Sequence, residues 1–421
     1  MSTAAPHGTA WARQPDHLQW LRDQTRRQLE FGRAFPHPDG GAYYLGDDGR
    51  PDRTRPVHTW LTSRMLHVYA LGELAGIPGC RPLAEGALRG LIGPLRDQEH
   101  GGWFASFGPR DERDDTKAAY AHAFVVFAAS TATVAGVPGA DALLEDALDV
   151  LDRRFWDEEP GMHRDSARRD WSIFADYRGV NANMHAVEAL LAAADATGDP
   201  RWRERAARIT DTVLGWAASN DWRVPEHFDS SWHARPDHHR DRPDHPFEPY
   251  GATVGHGLEW ARLALHVEAA SATGSAVDRS AATSINRLEC AAALFERAVT
   301  DGWSVDGADG FVYTTDWSGR PVVRARMHWV LAEAISAASA LADATGDPIY
   351  ARWYRTWWDY AATYLVTPDG SWRHELDPTN RPAATTWPGR PDLYHSVHAT
   401  VLPRLPLAPT AATAIAGGML R

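Results

Sequence analysis

With 421 residues, 44% hydrophobic and 23% charged, the chain has an ordinary globular composition and can bury a large core. A net charge of -12 with no basic stripe to offset it argues against nucleic acid as a partner. No apolar run reaches the ~18 residues a membrane span needs, and MSTAAPHGTAWARQPDH lacks the basic-then-apolar order of a signal peptide. A cytoplasmic location is expected, with Cys80 and Cys290 reduced and structural.

Helical periodicity dominates. Apolar residues recur at spacings of three and four over 16–29, 58–75, 82–94, 116–135, 141–154, 182–197, 201–218, 253–272, 281–300, 323–344, 348–366 and 392–403. Strand-like segments are few and short, Phe311 to Thr315 among them. The helices pair through Gly-centred turns such as LAGIPG, VAGVPGA and two copies of DATGDP, at Gly76, Gly136, Gly198, Gly274 and Gly346. Gly closes the first helix of each pair and Pro, where present, opens the second. One helix of each pair is rich in Ala, Leu and His, and the other carries a polar face. This alternation of inner and outer helices predicts an all-α (α/α)6 barrel, one domain over 1–421.

Polar groups recur near the start of each inner helix. They are Arg64, Tyr120 with His122, Asn181 with His185, His256 with Glu259, Arg326 with His328, and His395. Helix N-termini carry unpaired N–H groups, so six converging mouths predict a polar pocket. The aromatic and polar segments between pairs, such as DQEHGGWFASFG and WRVPEHFDSSW, are expected at the same end. Nineteen tryptophans exceed what packing requires, and exposed indole faces suit sugar rings. Lys117 is the sole lysine, which leaves Schiff-base chemistry a single candidate.

The motifs TSRM, HGGWF, NANMHAVEA, PYGATVGHGLEW, WRHELD and GRPDLYH run in order along most of the chain. In these the sequence resembles the N-acylglucosamine 2-epimerase superfamily, in its branch of mannose and sulfoquinovose isomerases. The resemblance implies an (α/α)6 barrel and cofactor-free proton transfer on a free sugar. It gives His256 and His395 as the acid/base pair, His185 as the ring-opening histidine and Arg64 as the arginine beside the substrate oxygens. Tyr120, Asn181 and Glu259 match further pocket residues, and Trp317 and Trp387 are sugar-stacking candidates. Glu248 stands where many relatives carry Arg before PYG, which disfavours an anionic sugar if its side chain faces the pocket.

Moving a carbonyl between C1 and C2 needs a base with a pKa near neutrality and a cation for the enediolate; imidazole and Arg64 fit. An isomerase would carry the C2 proton to C1 on one histidine, His395 being favoured. An epimerase would set His256 and His395 on opposite faces of C2. The same residues serve both, so motif content does not separate them. The expected activity is D-mannose to D-fructose isomerisation, extending to D-lyxose and D-xylulose; the alternatives are a sugar 2-epimerase, then a sulfoquinovose isomerase. A monosaccharide substrate, no cofactor, no metal, and a monomer or homodimer are expected. Two rivals exist. The His- and Asp-rich segment His233–His245 could bind a divalent ion, but its irregular spacing reads as a solvated loop, a lid or an oligomer contact. A glycoside hydrolase would need two opposed carboxylates, for which Asp114, Asp115, Glu226, Asp316 and Glu375 are available.

Overall fold

The computed structural model describes residues 9–110, 112–272 and 285–421. Among the described residues twelve principal helices run as α1 (Pro15–Phe31), α2 (Thr59–Leu74), α3 (Cys80–Ile92), α4 (Ala119–Val134), α5 (Ala140–Val150), α6 (Val180–Thr197), α7 (Pro200–Ala218), α8 (Val254–Ala272), α9 (Arg287–Gly302), α10 (His328–Thr345), α11 (Pro348–Tyr360) and α12 (Tyr394–Val401). The even-numbered helices touch in chain order and α12 returns to α2, which closes an inner ring. The odd-numbered helices form the outer ring, with α1 packed beside α12. The architecture is the expected (α/α)6 barrel.

Burial follows this division. Nearly every residue of α2 and α4 is buried, as befits helices enclosed on all sides. In α11 only Ala351, Tyr354, Trp357, Trp358 and Tyr360 are buried, an apolar stripe turned to the inner ring. The turn glycines Gly76, Gly136, Gly198 and Gly346 have φ between 64° and 73°, the left-handed conformation that ends a helix without a Cβ penalty. Gly274 and residues 281–284, where the sequence placed a turn and a helix start, lie outside the described residues. Both α5 and α11 run on into a π-helical turn, Leu151–Phe155 and Ala361–Leu365.

Short strands organise the mouths. Val57–His58, Lys117–Ala118, Tyr177–Gly179, Ala252–Thr253 and Arg326–Met327 each lead directly into an inner helix. Each pairs antiparallel with a strand from the segment that follows the next outer helix. That segment also supplies a carbonyl to the helix entrance. Thr59, Ala119, Val180, Val254 and His328 donate their backbone N–H to Ala105, Asp165, Glu226, Tyr313 and His374. The long segments therefore lie at the inner-helix mouths, as expected, and they cap one otherwise orphaned N–H of each. No helix among the described residues is long and apolar enough to cross a membrane.

Candidate active site

The helix mouths surround a cavity of about 800 Å3, counting its opening. Arg64 enters it from α2, Tyr120 from α4, Asn181 and His185 from α6, His256 and Glu259 from α8, His328 and Trp329 from α10, and His395 from α12. Each of the six inner helices contributes at least one side chain. Phe247, Trp60 and Trp387 stand at the opening, with Phe247 5.2 Å from the Trp387 ring and 6.1 Å from Trp60.

Two histidines share one arrangement. His256 Nδ1 lies 2.7 Å from both carboxylate oxygens of Glu226, and His395 Nδ1 lies 2.9 Å from Glu333 Oε1. A carboxylate accepts, so each Nδ1 carries the proton and each Nε2 is left for substrate. The Trp329 ring packs against both imidazoles, at 5.1 Å from His256 and 5.7 Å from His395. Burial holds His395 well below the ordinary imidazole range, and the Arg64 guanidinium pushes the same way. Burial likewise brings His185 down to about 4. Both are neutral bases at neutral pH.

Beneath the histidines lies a charged floor built around Arg262. Its guanidinium donates to Glu333 at 2.9 Å, to Glu188 at 3.1 Å and to Glu259 at 3.5 Å. Burial alone would raise Glu188, but Arg262 and the His185 hydrogen bond outweigh it and hold this carboxyl well below its usual range. Glu259 goes the other way: burial raises it well above the carboxylate range, reinforced by Glu333 and Glu188. Burial therefore favours the protonated form of Glu259, whose Oε2 has no partner and can then donate to a sugar oxygen. The Tyr394 hydroxyl donates to Glu188.

Arg64 is held on both sides, donating to Asp392 at 3.1 Å and to the Tyr120 hydroxyl at 2.9 Å. Burial would lower its pKa, but Tyr120 and Asp392 outweigh that effect, so the cation is secure. His185, Glu188 and Glu259 offer three potential metal-ligating atoms within 4.8 Å of one another. The charge a metal would bring there is already supplied by Arg262.

Three sequence-derived candidates lie elsewhere. His122 is buried in the scaffold, its Nδ1 bonded to the Ala118 carbonyl at 2.7 Å and its Nε2 accepting the Trp103 N–H at 3.1 Å. Arg326 is pinned by Asp306 at 2.7 Å and by Asn380 at 3.1 Å. Trp317 donates to the Pro236 carbonyl and does not line the cavity. Glu248 is also turned aside, bonded to His238 at 2.8 Å, so it gives no argument about substrate charge. Of the carboxylates considered for glycoside hydrolysis, Glu226 backs His256 and Glu375 holds the backbone of Thr386 and Trp387. Asp114, Asp115 and Asp316 do not line the cavity.

Sequence reasoning missed Glu188, Arg262 and Glu333. Glu188 and Glu333 are isolated charges in apolar stretches of inner helices (MHAVEALL, WVLAEAIS), and Arg262 follows Glu259 by three residues in another (EWARLAL); charge in such surroundings was the available signal. Asp392 and Tyr394 stood inside the quoted GRPDLYH motif.

The sequence model of the N-acylglucosamine 2-epimerase (GlcNAc 2-epimerase) family matches residues 40–399. The chain belongs to this family. It is 52% identical over 412 residues to a D-mannose isomerase of Thermobifida fusca, covering 97% of this chain and 99% of that protein. A D-mannose isomerase of Pseudomonas cannabina pv. alisalensis is 46% identical over 411 residues, covering 97% and 98%. The crystal structure of a D-mannose isomerase superposes with a TM-score of 0.82 at 28% identity, over 91% of this chain and 96% of that one. A cellobiose 2-epimerase from Spirochaeta thermophila DSM 6192 gives 0.77 at 23% identity, over 92% and 96%, which speaks for the shared fold alone.

Proposed function

We propose that this family member interconverts D-mannose and D-fructose by histidine acid/base catalysis, with activity extending to D-lyxose and D-xylulose. The observation that carries the reading is the pair of carboxylate-backed histidines, His256 with Glu226 and His395 with Glu333, both packed against Trp329. Near-full-length identity of 52% to a D-mannose isomerase favours isomerisation over epimerisation.

The sugar enters past Phe247 and Trp387 and its ring opens, with His185 and neutral Glu259 serving the ring oxygen. His395 Nε2 then takes the C2 proton, leaving a cis-enediolate whose charge Arg64 meets. The same imidazole returns the proton to C1, while His256 moves the hydroxyl proton between O1 and O2. Glu226 and Glu333 act as positioning residues that fix the tautomer and stabilise each imidazolium as it forms.

The test is incubation of EDTA-treated protein with D-mannose in D2O, followed by NMR. Fructose carrying deuterium at C1 is the expected product, since an enediolate exchanges with solvent. Glucose as the first product would replace the isomerase with an epimerase. Fructose still unexchanged at C1 after many turnovers at equilibrium would point to hydride transfer and remove His395 from the carbon.

A further inference from the structure

The segment between the Asp229 turn and Tyr250 gathers three metal-ligating atoms beside the pocket opening. His238 Nε2 lies 2.8 Å from Glu248 Oε2. His239 Nδ1 lies 3.7 Å from the same oxygen, and all three atoms fall within 4.8 Å of one another. Neighbours in an extended chain point to opposite sides, so two consecutive histidines do not ordinarily converge. Here they do, because His239 adopts a left-handed φ of 52°, which brings the two ring centroids to 4.0 Å. A non-glycine residue is uncommon in that backbone region, and strain of this kind gathers at ligand clamps.

The spacing suits an ion. Zinc bonds of about 2.0–2.2 Å place tetrahedral ligand atoms roughly 3.4 Å apart, and the separations of 2.8 and 3.7 Å straddle that value. Two imidazoles and one carboxylate are a donor set for the zinc class of divalent transition metals. Supporting contacts orient the ligands. The Glu248 backbone N–H donates to His245 Nδ1 at 3.0 Å, and the His238 ring stacks on Tyr177 at 5.1 Å. The Tyr177 hydroxyl is in turn 2.8 Å from His227 Nδ1. The three side chains are 12–31% exposed, so solvent ions reach them.

Without metal, His239 Nδ1 donates to the Glu248 carbonyl and its Nε2 accepts from Arg242 at 2.7 Å. Loading moves the ring proton from Nδ1 to Nε2, with the exposed Arg242 turning outward.

We propose that His238, His239 and Glu248 form a binding site for a divalent ion of the zinc class, whose occupancy fastens Pro246 and Phe247 across the pocket opening. The ion plays no part at the sugar carbonyl, where Arg64 and the histidines stand.

Calorimetric titration of zinc chloride into the EDTA-stripped full chain tests this, comparing wild type with His239→Gly and Glu248→Gln. Glycine suits the left-handed backbone at 239, so that variant removes a ligand and leaves the fold secure. One ion per chain is expected in the wild type, with affinity at least tenfold weaker in both variants. Absence of wild-type binding up to millimolar zinc, or affinity unchanged in either variant, overturns the proposal.

Discussion

His256 and His395 each commit one ring nitrogen to a carboxylate, and that commitment decides which nitrogen does chemistry. Their pairing with Glu226 and Glu333 was hidden in the sequence because the carboxylates come from other elements, one from a return loop and one from α10. No spacing rule connects residues 30 or 62 positions apart. The histidines themselves were legible from their motifs. His395→Ala is expected to lower kcat by about 10²- to 10⁴-fold with the fold retained. Glu333→Gln is expected to lower kcat less and to move the acid limb of the kcat/KM profile to lower pH. The sign follows from charge: a carboxylate favours the imidazolium, so its removal makes His395 harder to protonate. An unmoved limb beside a reduced rate would leave Glu333 a purely structural role.

At the scale of elements, the sequence marked the mouths correctly and overcounted their occupants. Two residues apart on a helix means about 200° around it, so adjacent candidates of that spacing cannot both face the cavity. Tyr120 faces it and His122 faces away; Asn181 faces it and Asn183 turns to the backbone of His163. His185, four residues beyond Asn181, returns to the cavity side. Arg326 precedes α10 altogether, and it is His328 and Trp329 that enter the pocket. The α8–α10 contact offers a direct test. A Cβ at Gly255 would meet Trp329 Cζ3 at 2.4 Å and Val330 Cγ2 at 2.8 Å. Alanine ordinarily stabilises a helix relative to glycine, yet Gly255→Ala is expected to destabilise this protein by about 1–3 kcal/mol through overpacking. It should also slow turnover, because Trp329 packs on both histidines of the proposed acid/base pair. Calorimetric melting and kcat together decide this, and a higher melting temperature would contradict the packing argument.

The whole molecule carries an uncommon load of buried imidazoles. Burial lowers His67, His122, His163 and His398 to about 3, and His185, His266 and His328 to about 4. Unfolded, each takes up a proton below about 6.5; folded, each stays neutral until far lower pH. The unfolded chain therefore binds more protons between about 6.5 and 4, and stability falls as pH drops through that window. Each histidine contributes up to about 1.4 kcal/mol per pH unit there, and the contribution is complete above the window. Glu259 and Asp165, raised by burial, work in the opposite sense but are two groups against seven. The melting temperature should fall steadily from pH 6.5 to 5 and stay level between 7 and 8; a flat profile across the acid range would contradict the burial of these rings. Barrel closure was legible from the six-fold alternation of helices, whereas the partners that effect it were not.

Those partners join the two extremes of the ring. Thr25 on α1 bonds Thr400 on α12 at 2.9 Å across 375 positions, His67 bonds His398, and Arg64 reaches Asp392. During synthesis, then, the first five inner helices emerge as an arc with an open flank, and Met65, Leu66 and Val68 are made long before the neighbours that finally cover α2. His395 rides on the element that closes the arc, so the proposed base and the seal arrive together. A nascent chain stalled before Tyr394 would lack both at once, which makes appearance of activity a report on completion of the ring itself.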